Sequence, residues 1–340
     1  MESTVGLNRE PVLVIAEAGV NHNGNLDMAF RLCDAAREAG ADIVKFQTWK
    51  TDALMLREAE LAEYQKQNAG FYPSQYEMSK QLEISYEDFR KIRDYCQHTG
   101  IRFLSTPDEE ESLNFLADDL QMELIKIGSG EITNLLYLSQ VGRKGKDVIL
   151  STGMADLTEV GTAFRILKDS GARSVILLHC TSNYPTPFWE VNLRAMMTLK
   201  DHFGVPVGYS DHTMGIEAAV AAVALGAVVV EKHLTLDRTL PGPDHKASLE
   251  PGEFGNMVRA IRNIEKALGD GVKQPQDSER RIRPVVQKSL VAKTTITKGE
   301  PFSEENVTAK RAGRGIPASR WPEITGRTAG RSYQPDDLLE

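Results

Sequence analysis

Eight short apolar runs in this 340-residue chain each stop abruptly at polar, chemically capable residues. They are 12–19 (VLVIAEAG), 43–48 (IVKFQT), 103–107 (FLSTP), 124–131 (LIKIGSGE), 148–154 (VILSTGM), 175–183 (VILLHCTSN), 205–212 (VPVGYSDH) and 228–235 (VVVEKHLT). Runs of this length read as strands buried on both faces. Segments of helical pattern lie between most of them: 26–39, 86–97, 157–170 and 216–225, with 251–268 after the last. Eight such units in series predict an α/β fold, a (β/α)₈ barrel. That fold carries its active site at the C-terminal ends of the strands.

The rest of the chain is bounded by composition. A barrel of about 250 residues leaves room for one small extra domain. The segment 269–284 (GDGVKQPQDSERRIRP) is polar and rich in Gly, Pro and charge, and reads as a linker. Residues 285–340 show short β-like runs broken by turns, so the expected domains are 1–268, the linker, and a small β domain over 285–340. Residues 50–85 form a long insertion between the second and third strands, placed to act as a lid or substrate wall.

A net charge of −8 argues against a general nucleic-acid or anionic-membrane partner. No apolar stretch reaches the roughly 20 residues of a membrane helix. The N-terminal MESTVGLNREPV lacks a signal-peptide pattern. Cys33, Cys96 and Cys180 have no metal spacing and read as buried thiols, which fits a cytoplasmic protein.

The strand ends define the chemistry. His212 and His233 end the seventh and eighth runs, neighbours in a closed barrel, and two imidazoles there suit a divalent ion such as Mn²⁺, Co²⁺ or Zn²⁺. With two nitrogen ligands and no thiolate, such an ion keeps positions open for a Lewis-acid role. Lys126, Ser129, Ser151 and Thr106, with Lys45 from the second run, make an anion cradle of point charges and orientable hydroxyls. Ser210 and Lys288 are candidates for a second anion subsite. Glu17 and Glu131 are rim carboxylates suited to general-base work. Asp211 can orient its neighbourhood, and Asp244, in the loop PGPDH, can bind sugar hydroxyls or be a solvated turn. The turn NHNG (21–24) follows the first strand. Arg311 matters only if the small domain reaches a barrel mouth. Barrel lysines Lys45, Lys126 and Lys232 also admit a Schiff-base aldolase, which needs no metal.

EAGVNHNG, VKFQT, STP, KIGSGE, STGM, HCTSNYPTP, YSDHT, EKH and GPDHKAS, in this order, resemble the bacterial sialic acid synthases. The C-terminal KSLVAKTTITKGEPFSEENVTAKRAGRGI resembles their antifreeze-like (SAF, β-clip) domain, so the likeness spans about residues 12–335. It implies condensation of phosphoenolpyruvate with an N-acetylated aminosugar, N-acetylmannosamine first. The products are N-acetylneuraminate and phosphate, released by C–O cleavage. It also implies a Mn²⁺ or Mg²⁺ ion on His212 and His233. Lys45, Thr106, Lys126, Ser129 and Ser151 then hold the carboxylate end of phosphoenolpyruvate, and Ser210 and Lys288 its phosphate. Glu17, Glu131, Tyr184 and Asp244 face the metal-bound water and the sugar. Arg311 is lent across a domain-swapped homodimer to the sugar N-acetyl group. Ser182 stands where some relatives carry Asn two places before that tyrosine. SQYEMSKQLE and ASLEP resemble a branch that includes legionaminic acid synthases, which take a 2,4-diacetamido-6-deoxy sugar.

Overall fold

Alternation of residues along each strand is what builds this fold. In the computed structural model, which describes residues 10–69 and 71–340, residues 1–9 of the N-terminal stretch lie outside the description. The eight runs form strands β1 (Leu13–Gly19), β2 (Ile43–Thr48), β3 (Arg102–Pro107), β4 (Leu124–Ile127), β5 (Asp147–Ser151), β6 (Ser174–His179), β7 (Val207–Asp211) and β8 (Val229–His233). They pair in parallel in the order β3-β2-β1-β8-β7-β6-β5-β4, and β3 and β4 pack side by side to close the ring. The barrel is as expected, but several strands stop short of their apolar runs. Ser129 and Glu131, for example, belong to a 3₁₀ turn after β4.

One set of strand residues faces inward. Ile15, Ile43, Leu104, Ile149, Leu178 and Val229 pack only against one another and a few neighbours, and fill the lumen. Gly208 belongs to this layer, because a Cβ there would lie 2.4 Å from the Val229 carbonyl and 2.6 Å from Leu178. The alternate residues, such as Val14, Val44, Ile125, Val148, Leu177 and Val230, pack outward against the helices. Two faces buried in this way require near-continuous apolar runs.

The helices are α1 (Leu26–Glu38), α2 (Thr51–Leu54), α3 (Glu63–Ala69), α4 (Gln75–Leu82), α5 (Tyr86–Thr99), α6 (Glu110–Asn114), α7 (Leu135–Arg143), α8 (Leu157–Ser170), α9 (Arg194–Phe203), α10 (Glu217–Ala224) and α11 (Pro251–Leu268). Local chemistry starts them. Asn25 caps α1 through Met28 N, Ser85 caps α5 through Asp88 N, and Asp156 with Glu159 forms a capping box on α8. The insertion folds into α2–α4 and builds its own small core from Trp49, Leu61, Met78 and Leu82 beside Val20. All three cysteines are buried and free.

The chain divides into units 1–270 and 271–340. Within 269–284 the chain becomes helical at Asp277, and α12 runs Asp277–Val286. Gln276 and Glu279 form a reciprocal capping box there, which outweighs the polar composition and tolerates Pro284 inside the helix. The second unit then pairs β9 (Lys288–Ala292) with β10 (Val307–Arg311) in antiparallel register. Its core is Leu290, Ile296, Phe302, Val307, Ile324 and Tyr333, with the short α13 (Trp321–Ile324) against it. No helix among the described residues is long and apolar enough to cross a membrane.

Candidate active site

A charged layer lies two residues beyond the apolar plug, because the inward register repeats every second residue. Moving on by two from Ile15, Ile43, Leu104, Leu124, Ile149, Gly208 and Val229 gives Glu17, Lys45, Thr106, Lys126, Ser151, Ser210 and Glu231. All seven are buried. Lys45 Nζ lies 2.6 Å from Glu17 Oε2 and donates to Thr106 Oγ1 at 3.2 Å. Lys126 Nζ donates to Ser151 Oγ at 2.8 Å. Glu231 Oε1 stands between the two lysines, 3.8 Å from Lys45 and 3.5 Å from Lys126, and accepts from Ser210 at 3.1 Å.

These groups tune one another. Burial alone opposes ionisation of Glu231, but Lys126 and Lys45 outweigh it and hold that carboxyl low. Burial pushes Glu17 up, against the pull of Lys45. Burial and the neighbouring Lys45 charge pull Lys126 below the usual lysine range. The layer is therefore two ammonium groups, each seated on a hydroxyl, with their carboxylate counter-charges beside them.

The histidine pair sits one step further out, with ring centroids 5.4 Å apart. His212 Nδ1 meets the Thr181 carbonyl at 2.7 Å, and a carbonyl only accepts, so Nδ1 carries the proton. The lone pair is then on Nε2, which faces Ser210 Oγ at 3.3 Å. His233 Nδ1 is buried without a hydrogen-bond partner. Burial lowers the pKa of both imidazoles, to about 4 for His212, so both are neutral at pH 7. Neutral imidazoles with a fixed tautomer and an orphaned ring nitrogen fit a divalent metal. No third His, Cys, Asp or Glu completes a ligand group among the described residues, so the protein offers two nitrogens. The Tyr184 ring packs on His212 at 4.2 Å and edge-on to His233 at 5.4 Å.

Asp244 is no solvated turn. It is buried, its Oδ2 lies 3.7 Å from His233 Nδ1, and burial pushes its carboxyl up to about 6, with Lys45 opposing. The NHNG turn holds its loop in place. Asn21 donates to the Leu234 carbonyl and Ser248 Oγ, both at 2.9 Å. Asn23 donates to the Pro241 carbonyl at 3.0 Å and accepts from His245 at 3.1 Å. Ser248 Oγ donates to the Asp244 carbonyl at 2.7 Å. From the insertion, Asn68 donates to the Pro243 carbonyl at 2.9 Å, so the insertion walls this side of the mouth.

A model of the NeuB family matches residues 32–273 and a SAF domain model matches 287–339. The chain belongs to the NeuB family. It is 48% identical to the N,N'-diacetyllegionaminic acid synthase of Campylobacter jejuni over 96% of this chain and 98% of that one. Identity to the N-acetylneuraminate-9-phosphate synthase of Homo sapiens is 35% over 97% and 92% of the two chains. Among solved structures, the N-acetylneuraminic acid (sialic acid) synthetase of Leptospira borgpetersenii superposes with a TM-score of 0.70 at 37% identity, covering 81% of this chain and 90% of that one. The chain is thus a member of the sialic acid synthase family with a C-terminal SAF domain.

In this NeuB-family barrel most of the anticipated residues converge. Glu17, Lys45, Thr106, Lys126, Ser151, Ser210, His212, His233, Asp244 and Tyr184 share the lumen and its mouth. Ser129 Oγ accepts from Gly153 N at 2.9 Å and lies 3.2 Å from Cys180 Sγ, while Glu131 accepts from Asn134 at 2.7 Å. Lys288 and Arg311 lie in the second unit, directly opposite each other across β9 and β10, and both are exposed. Lys232 leaves the imine candidates. It faces the helix side, fully buried, 2.8 Å from Asp211, and donates to the Thr213 carbonyl. Asp211 accordingly serves that outer pair and not the lumen. Three residues were missed: Glu231, Gln47, which donates to Glu17 Oε1 at 3.2 Å, and Asp108 at the end of β3. Glu231 and Gln47 were legible as second neighbours of Val229 and Lys45.

Proposed function

We propose that this NeuB-family protein condenses phosphoenolpyruvate with a 2,4-diacetamido-2,4,6-trideoxymannose, giving a legionaminic-type nine-carbon 3-deoxy-2-ulosonic acid and phosphate. The observation that carries the reaction class is the pair of buried lysines, each on a hydroxyl, set directly beneath two neutral imidazoles. The acceptor choice displaces N-acetylmannosamine from first place. Two relatives at 48% identity, from Campylobacter jejuni and Legionella pneumophila, carry the legionaminic name, whereas the human N-acetylneuraminate-9-phosphate synthase stands at 35%.

In this reading Lys45, Thr106, Lys126, Ser129 and Ser151 hold the carboxylate of phosphoenolpyruvate, and Ser210 and Lys288 its phosphate. C3 of phosphoenolpyruvate bonds to the aldehyde carbon of the open-chain sugar. Positive charge develops at C2, water adds there, and phosphate leaves with the bridging oxygen. In this reading Glu17 takes the proton of that water. Glu131, Tyr184 and Asp244 orient the sugar, and Arg311 reaches it from a second copy of the chain. His212 and His233 would hold a divalent metal, Mn²⁺ first, whose chemistry is Lewis-acid polarisation of an oxygen. The polar layer excludes bulk water and keeps its donors fixed before reaction, which is how such sites stabilise developing charge.

Phosphate release from phosphoenolpyruvate, assayed against six-carbon aminosugars with and without Mn²⁺, tests this. Turnover is expected only with acceptor and metal, with the highest kcat/KM for the diacetamido sugar. A higher kcat/KM for N-acetylmannosamine would overturn the acceptor assignment. Turnover unaffected by saturating chelator would overturn the metal role. Borohydride in the presence of pyruvate is expected to trap no adduct, and a covalent adduct on Lys126 would favour the Schiff-base reading.

A further inference from the structure

We propose that Asp108 determines acceptor specificity: its carboxyl hydrogen-bonds a hydroxyl or acetamido group of the sugar on the side of the mouth across from the histidine pair. The assignment rests on the functional reading above. Asp108 directly follows β3, and its backbone N donates to the Thr48 carbonyl at 3.1 Å, so the β2–β3 pairing extends through it. Leu104 and Thr106 face the lumen, so residue 108 continues the inward row one step above the lysine layer.

Its surroundings agree with that direction. The charges acting on it are Glu131 after β4, Lys45 on β2, Glu17 on β1 and the adjacent Glu109. Tyr137 of α7, which donates to the Pro107 carbonyl at 2.6 Å, closes the outer side.

The neighbouring acids show what structural employment looks like. Glu109 caps α6, accepting from Glu111 N at 2.6 Å and Ser112 N at 3.0 Å, and also from Lys50 N. Glu110 accepts from Gln140 at 2.7 Å. The Asp108 carboxyl, by contrast, makes no hydrogen bond or ion pair among the described residues. A half-buried acid placed beside three other carboxylates without a side-chain partner is a cost to the fold, and such costs concentrate where a ligand supplies the missing partner. Burial and Glu131 raise its pKa to about 8, so at neutral pH the group both donates and accepts. That matches a sugar hydroxyl, or the N–H and C=O of an acetamido group.

The test uses the full-length protein with Mn²⁺ and measures KM and kcat separately for phosphoenolpyruvate and for the diacetamido and monoacetylated acceptors. Asp108→Ala is expected to raise acceptor KM at least tenfold while the KM of phosphoenolpyruvate stays within twofold. Asp108→Asn keeps shape and hydrogen bonding, and is expected to recover most of the loss while abolishing the change in acceptor KM between pH 7 and 9. A larger effect on the diacetamido sugar assigns the contact to its extra acetamido group, and equal effects assign it to a shared hydroxyl. Acceptor KM unchanged in both variants, or a KM for phosphoenolpyruvate rising in parallel, overturns the proposal. Should Asp108→Ala fail to fold, Asp108→Asn decides alone through the pH dependence. A wild-type protein without acceptor-dependent phosphate release overturns the functional reading, and this assignment with it.

Discussion

Glu231 is the residue on which the lumen's charge balance turns. Its one carboxylate stands within 4 Å of both lumen lysines, Lys45 and Lys126, and no other carboxylate does so among the described residues. Removing one partner from a buried ion cluster leaves an uncompensated charge, at a cost of about 3–5 kcal/mol. Glu231→Gln is therefore expected to lower stability by that order in urea unfolding and to weaken turnover. The histidines make a different prediction. Each of His212→Ala and His233→Ala is expected to reduce Mn²⁺ binding in equilibrium dialysis by more than the ~10–100-fold that loss of a supporting contact costs. Unchanged Mn²⁺ binding in both would remove these two residues as ligands. Asp108 sets a pH dependence of stability. An unfolded carboxyl titrates near 4, and the fold raises this one to about 8. The native state therefore holds a proton that the unfolded state has lost. The corresponding stability is complete below about pH 4 and drains away as pH rises through about 8. Tm of the wild type is expected to fall more than that of Asp108→Asn between pH 5 and 9. Parallel Tm curves would refute this.

At the scale of elements, the loops that carry site residues are held by other loops. The β1 turn is the clearest case. Gly24 has φ +72°, and a Cβ there would lie 2.4 Å from the Gln81 carbonyl of the insertion. Its neighbours Asn21 and Asn23 fix the loop bearing Asp244. Alanine at such a φ costs more than about 1 kcal/mol. Gly24→Ala is expected to lower Tm and raise acceptor KM, leaving the KM of phosphoenolpyruvate unchanged because the lysine layer lies on the strands. A selective rise in the KM of phosphoenolpyruvate would contradict this division. Strand alternation makes the same point within one element. In β8, Glu231 and His233 face the lumen while Lys232 between them faces the helices and Asp211. Adjacent residues of equal chemical promise thus have opposite fates, decided by a period of two.

At the scale of the whole molecule, Lys288 and Arg311 stand directly opposite each other across a two-stranded sheet, and like charges so placed repel. If a second copy lends Arg311 to the barrel, as proposed, two variants defective in different units should complement. Co-expressed His233→Ala and Arg311→Ala chains are expected to recover about a quarter of wild-type activity by random pairing, since half the molecules are mixed and each has one intact site. No recovery from confirmed mixed dimers would confine each site to one chain.

The sequence by itself determined the barrel, the order of its strands and the presence of a second unit, because alternation and capping are local properties written in neighbouring residues. It also placed Lys45, Lys126, Ser151, His212 and His233 at one rim, since strand order in a barrel follows chain order. Three things only the tertiary structure decided. Closure of the ring set Glu231 of β8 between lysines of β2 and β4, a distance no spacing along the chain encodes. Packing of the β1 turn against the β8 loop buried Asp244, where composition alone allowed a solvated turn. Partial burial, together with the nearness of Glu131, raised the proton affinity of Asp108. Charge balance depends on what surrounds a group in space, and folding brings those surroundings together from distant parts of the chain.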